Sequence, residues 1–183
     1  MFIPTKENYT EITPTEFEKY SLSVLKKQFE DKGIEDFSFS HNVEKSTYDG
    51  SYQIDGEIRF TIMGVEMVIF VECKMYKGPV KREQIQVLHD KIRSTGAHKG
   101  IFITTSYFQS GALKYAKEHG IALISIVDGA LRYETRSKDG ATTIPSWVKL
   151  SKFSMAMQTQ ITDTAINISF IDDTDALFEF ITN

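Results

Sequence analysis

The sequence predicts an α/β protein, a mixed central sheet flanked by helices, and three observations carry that reading. Apolar residues at helical spacing follow a capping signal at Thr13, and apolar and polar residues alternate from Tyr52 to Ile62. From Pro79 onward, helical and strand patterns take turns. That order puts sheet and helices around one shared core. At 183 residues the chain has material for one good core and too little for two ordinary domains. The expectation is one domain over residues 1–150, with residues 151–183 an acidic C-terminal extension packed on it.

Thr13-Pro14-Thr15-Glu16 has the form of a capping box with proline at the first helical position. A helix is therefore expected from Pro14 to about Phe29, stopping near Gly33. Its apolar stripe includes Leu22, Leu25 and Phe29, and one turn before Leu22 stands Glu18, at the edge of the buried face. Phe37, Phe39 and His41 alternate with polar residues, which predicts a short strand from Asp36 to Val43 before a polar loop with Asp49-Gly50.

Ile54, Ile58, Phe60 and Ile62 alternate with Asp55, Glu57, Arg59 and Thr61, the period of a half-buried strand, with Gly56 on the apolar face. Met63-Gly64 is a candidate two-residue turn into Val65 to Lys74, a run rich in β-formers. That turn sets Asp55 directly opposite Glu72, with Cβ atoms about 4.5–5.5 Å apart and Lys74 on the same face. Ile54 is expected to face Cys73 on the other side, in the core.

After Pro79 a helix is expected from about Lys81 to Arg93, turning Ile85, Leu88 and Ile92 inward and stopping at Gly96. Lys99 to Thr104 reads as a strand. Gln109 to His119, ended by Gly120, reads as a helix burying Ala112, Leu113 and Ala116, and Ile121 to Val127 as a strand turning at Asp128-Gly129. Beyond Pro145 the patterns weaken. Ile161 to Ile171 alternates like an edge strand, and Asp175 to Ile181 fits no single element.

The 41% hydrophobic and 25% charged fractions are those of a soluble globular protein and exclude a disordered or low-complexity chain. The N-terminal residues hold no apolar stretch, and the longest apolar run, Gly64 to Cys73, is broken by Glu66 and Glu72. Neither signal-peptide secretion nor a membrane span is expected. Cys73, the one cysteine, makes no intrachain disulfide and cannot alone build a zinc site, which suits a cytoplasmic, reducing location. His41, His89, His98 and His119 show no ligand spacing.

A formal charge of -4 argues mildly against a nucleic-acid partner, but the distribution of that charge points the other way. From Ser151 onward Lys152 stands against Asp163, Asp172, Asp173, Asp175 and Glu179, which leaves residues 1–150 neutral overall. Between Lys74 and Lys99 seven bases face only Glu83 and Asp90. Lys77, Lys81, Arg82, Lys91 and Arg93 are candidate contacts to a DNA backbone. The plain alternative is a solvated helix face.

Two carboxylates opposed across a hairpin raise one another's pKa unless a cation intervenes. Hard oxygen ligands select Mg²⁺, for which Mn²⁺ substitutes, and these ions take phosphate oxygens as further ligands. Lys74 would then orient an attacking water or neutralise charge building on a phosphate. The Glu-x-Lys pattern alone is weak, since Glu30-Asp31-Lys32 also matches it, and an exposed ionic ladder is the structural alternative. Val68, Phe70, Val71 and Cys73 favour the functional reading, because they put the pair at the end of a strand that reads as central.

The chain resembles the Mrr-like restriction endonuclease domains of the PD-(D/E)xK nuclease superfamily over roughly Thr13 to Ile126. The residues that carry the resemblance are Glu16-Phe17-Glu18, Gln53-Ile54-Asp55-Gly56, Val71-Glu72-Cys73-Lys74-Met75-Tyr76, Val80, Lys99 to Ser106, and Gly111 to Ala116. It implies a restriction-endonuclease-like αβββαβ core and Mg²⁺-dependent cleavage of DNA in the restriction of foreign DNA. Asp55, Glu72 and the Cys73 carbonyl would be metal ligands, Lys74 the catalytic base or orienting group, and Glu18 an accessory acid. Related nucleases often place a glutamine on the next helix, where Gln84 and Gln86 both qualify.

Two departures bear on this. Ile54 stands where the superfamily has a proline, and nothing reads as the separate recognition domain that Mrr-type enzymes carry. Target recognition is therefore open to a partner protein, and double-strand cutting by so compact a domain suggests a homodimer. Competing readings are a structure-specific, junction-resolvase-like nuclease and a non-catalytic nuclease fold used for binding or assembly. Against the last, Asp55, Glu72 and Lys74 are all present.

Overall fold

The computed structural model describes residues 12–29, 32, 34–48, 50–128, 153–162, 164–171 and 175–182. In chain order the elements are α1 (Pro14–Phe29), β1 (Glu35–Thr47), β2 (Gly50–Ile62), β3 (Val65–Lys74) and α2 (Arg82–Thr95). There follow β4 (Lys99–Thr104), α3 (Ser110–Glu118), β5 (Ile121–Asp128), β6 (Phe153–Gln160), β7 (Ile166–Phe170) and α4 (Ala176–Thr182). The seven strands form one sheet in the order β1-β2-β3-β4-β5-β6-β7. It is mixed: β3, β4 and β5 run parallel, and the pairs on either side are antiparallel.

The parallel strands are central because they are apolar on both faces. Val68 to Cys73 are all buried, and so are Gly100 to Thr104, which leaves helices to cover both sides. On one side α1 and α4 bring Phe17, Leu22, Leu25, Phe29, Leu177 and Ile181 against Ile58, Phe60, Ile69, Val71, Ile101 and Ile103. On the other, α2 and α3 bring Ile85, Leu88, Ile92, Ala112, Leu113 and Ala116 against Val68, Phe70, Phe102 and Leu123. Each of these side chains larger than alanine contributes about 1.5–3 kcal/mol by leaving water. None of the helices in the described residues is long and apolar enough to cross a membrane.

Local chemistry explains the element boundaries. The Thr13 N–H donates to Glu16 Oε2 at 2.7 Å and the Glu16 N–H to Thr13 Oγ1 at 3.3 Å, the reciprocal bonds of the expected capping box. Met63 and Gly64, with φ of 52° and 79°, make the two-residue turn whose twist suits a hairpin, and the β2–β3 register follows from it. The α2 helix stops at Gly96 as its sequence indicates.

The structure departs from the sequence reading in three places. β1 runs to Thr47, four residues beyond the expected end at Val43. β6 has no counterpart among the expected strands, and the strand expected over Ile161 to Ile171 is confined to Ile166–Phe170. Asp175 to Ile181 largely falls in α4. The expected stop at Gly33 and the turn residue Gly129 lie outside the described residues.

Candidate active site

The β2–β3 ladder runs from Ile62↔Val65 to Gly56↔Val71 and ends there. β2 goes on pairing with β1 as far as Gly50, and β3 goes on pairing with β4 as far as Lys74. The sheet therefore forks at the rung where Asp55 and Glu72 would be opposed. Asn42, in β1 beside the fork, has a φ of 56°, and β2 reverses its side-chain phase here. Ile58 and Phe60 pack toward α1, whereas Ile54 packs toward α2. This corrects two expectations: Asp55 and Glu72 do not share a rung of the ladder, and Ile54 is buried but Cys73 lies in the cluster on the opposite face of the sheet.

Side chains fill the fork. Asp55 Oδ2 accepts the Cys73 backbone N–H at 2.8 Å. The Lys74 ammonium lies 2.9 Å from Asp55 Oδ2 and 2.7 Å from Glu72 Oε1, bridging the two carboxylates. Lys91, reaching in from α2, bonds Glu72 Oε2 at 2.8 Å and the Gln53 carbonyl at 2.8 Å. Glu72 is buried with both oxygens paired, each to a different lysine. Burial works against the charge of Lys74, but Glu72 and Asp55 more than offset it and hold the ammonium well above the ordinary lysine value.

Behind the fork lies α1. A Cβ built on Gly56 would meet Leu22 Cδ2 at 2.6 Å, so the glycine is what lets the helix approach β2 so closely. Glu18, one turn earlier on α1, comes within 3.4 Å of His41 Nε2. The Cys73 thiol is buried toward α1. Burial pushes it well up, and the charges of Asp55 and Glu18 push it further.

The α2 helix sorts the remaining candidates by stripe. Gln84 and Lys91 are seven residues apart and share a face, whereas Gln86 lies on the far side with Arg82, His89 and Arg93. The Gln84 side chain accepts the Lys81 N–H at 2.9 Å, and Gln86 is exposed. Lys77, Lys81, Arg82 and Arg93 are exposed, with Arg82 lying 5.0 Å over the Tyr115 ring. Lys91 departs from the phosphate-facing role expected of it. Its side chain is only 13% exposed and its charge is spent on Glu72. The sequence does hold a clue: Lys91 follows the inward-facing Leu88 by one turn, at the margin of the apolar stripe.

Among the described residues no three His, Cys, Asp or Glu side chains converge as a metal-ligand set. The pair Asp55 and Glu72 nevertheless fits a hard divalent cation. The ammonium held between them marks a place where positive charge is bound by oxygen donors from two strands, the donor chemistry that Mg²⁺ and Mn²⁺ take.

The family profile described as a restriction endonuclease, of the Mrr catalytic type, matches residues 9–130. The chain belongs to that family. It is 29% identical over 119 residues to the type IV methyl-directed restriction enzyme EcoKMrr of Escherichia coli (strain K12), which covers 64% of this chain and 37% of the relative. The match thus spans little more than a third of the relative's length. Similar solved structures include a protein of unknown function, AF1548, at 20% identity and TM-score 0.45, covering 58% of this chain and 54% of that one. The MspJI restriction endonuclease bound to a 27-mer oligonucleotide gives 19% identity and TM-score 0.40, covering 58% and 24%.

Proposed function

We propose that this chain is a divalent-metal-dependent DNA endonuclease domain acting in restriction of foreign DNA. The observation that carries the reading is the pair Asp55 and Glu72, joined by the Lys74 ammonium at the fork between β2 and β3. The family to which the chain belongs supports phosphodiester hydrolysis as the reaction.

In this reading Asp55, Glu72 and the Cys73 carbonyl hold Mg²⁺, with Mn²⁺ as substitute. The ion, when bound, supplies Lewis acidity and a water of lowered pKa. Lys74, within reach of both carboxylates, orients the attacking water and offsets charge on the phosphate, or serves as the base. Glu18 acts as an accessory acid from α1. Gln84, on the site-facing stripe of α2, is a better candidate than Gln86 for a contact to water or phosphate. Lys77 and Lys81, exposed just past β3, are assigned to the DNA backbone.

Further parts of the proposal are a cytoplasmic location, target choice supplied by a partner protein, and a two-fold homodimer presenting two sites to antiparallel strands. The test is nicking of supercoiled plasmid by the purified protein with Mg²⁺ or Mn²⁺, alongside Glu72→Ala. Cleavage that needs the ion and is lost in the variant is the expected result. Equal cleavage by both proteins, or none by a folded wild type that binds the ion, would sink the reading.

A further inference from the structure

We propose that Lys91 is a positioning residue, which holds the Glu72 carboxylate against the open end of β2 and makes no contact with the DNA backbone. The inference rests on the nuclease reading of the Asp55, Glu72 and Lys74 site.

Lys91 spans the fork. Past Gly56↔Val71, β2 has no rung with β3, and in the opening the Lys91 ammonium joins the Gln53 carbonyl of β2 to Glu72 Oε2 of β3. Because Lys74 takes Oε1 and Lys91 takes Oε2, the carboxylate plane of Glu72 is fixed from both sides. The two lysines are not equivalent. Lys74 is 34% exposed and bonds only side chains, whereas Lys91 is 13% exposed and has one of its bonds to the main chain.

The helix that carries Lys91 is itself anchored. Leu88 and Ile92, on either side of it, are buried in the core beneath α2. The Tyr52 hydroxyl of β2 lies 3.3 Å from Ser94 Oγ and 3.4 Å from Asp90 Oδ2, tying β2 to the same stretch of helix. An ammonium held at its root by packing and at its tip by two acceptors places a partner group accurately. Its charge, already offset by Glu72, releases few counterions when DNA arrives.

The two roles for Lys91 make opposite forecasts for Lys91→Met. A positioning role leaves the KM for DNA near the wild-type value and lowers kcat by about ten- to a hundredfold, the usual loss when the partner of a metal-holding group is removed. It also leaves unchanged the slope of log affinity against log salt, measured by DNA binding without metal. A backbone contact would make that slope shallower by about one and raise KM. Lys91→Arg, which keeps charge and donors, is expected to recover most of the lost rate. Circular dichroism and melting establish that each variant folds. If Lys91→Met does not fold, Lys91→Gln is carried through the same two measurements.

Cleavage by the wild type with undiminished kcat in the folded variant overturns this inference alone, and so does a slope shallower by one. Wild-type protein that neither binds nor cuts DNA overturns the nuclease reading, and this inference falls with it.

Discussion

The backbone N–H of Cys73 donates to Asp55 Oδ2 at 2.8 Å, so at the fork a side chain does what a neighbouring strand does elsewhere in the sheet. Asp55 is therefore tied to the fold as well as to the proposed chemistry, and two substitutions separate the roles. Asp55→Ala leaves a buried N–H without its acceptor, a loss of about 1–3 kcal/mol. Asp55→Asn keeps an acceptor oxygen and removes the charge. Both variants are expected to lose cleavage, but only the alanine variant should lose that much stability in denaturant melts. Equal stability of the two would mean that the Cys73 N–H has found another acceptor.

The close approach of α1 to β2 makes a second prediction. Gly56→Ala sets a methyl 2.6 Å from Leu22 Cδ2, closer than packed atoms tolerate, and a tight 3.3 Å from Val71 Cβ. Overpacking of this kind costs about 1–3 kcal/mol. Leu22→Ala alone also destabilises, by opening a cavity, but the two changes together should cost clearly less than their separate costs added. Additive losses would show that α1 does not bear on Gly56.

What the sequence discloses and what it hides divide on physical grounds. The β2–β3 register from Ile62↔Val65 to Gly56↔Val71 is legible because a two-residue turn at Met63-Gly64 leaves it little freedom, and the alternation from Ile58 to Ile62 marks a strand. The fork is not legible, because it depends on the backbone of Asn42 and on hydrogen bonds made by side chains, neither of which has a hydropathy period. β6 is hidden for a related reason. Ser154 to Met157 and Gln158 are all buried, and the polar Gln158 is satisfied by Ser125 Oγ at 2.8 Å, so burial there does not follow polarity. Lys91 stands out in the sequence by its charge, and charge alone gives no account of depth.

A third prediction concerns acid stability. His89 Nδ1 lies 2.7 Å from the Tyr115 hydroxyl, and its ring stacks on His119 with centroids 4.2 Å apart. Burial, then the charges of His119 and Arg93, depress its pKa, with Asp90 acting the other way, and Arg82 sits over the Tyr115 ring. A histidine depressed in the folded state binds protons more readily when unfolded. Its contribution is thus fully present above the unfolded value, about 6.5, and is lost as pH falls from there through the folded value. Melting temperatures of wild type and His89→Gln, measured from pH 8 to pH 5, should converge toward acid as the wild type loses more. Parallel curves would count against it.

The last prediction separates the exposed bases by the stripe on which they stand. Lys77 and Lys81 are exposed in the segment that joins β3, which carries Glu72 and Lys74, to α2. Arg82 and Arg93 are exposed too, but they share the helix face that turns to α3, where Arg82 rests on Tyr115 and Arg93 bears on His89. If DNA lies across the fork, only the first pair meets phosphate. Each phosphate neutralised adds about 0.9 to the slope of log affinity against log salt. Lys77→Gln with Lys81→Gln should make the slope shallower by roughly two and weaken binding alike on all sequences, since backbone contacts do not read bases. Arg82→Gln with Arg93→Gln should leave the slope as it is. Binding isotherms across a salt series for the two double variants decide the matter. A larger loss from the arginine pair would move the DNA onto the α2–α3 face and away from Asp55 and Glu72.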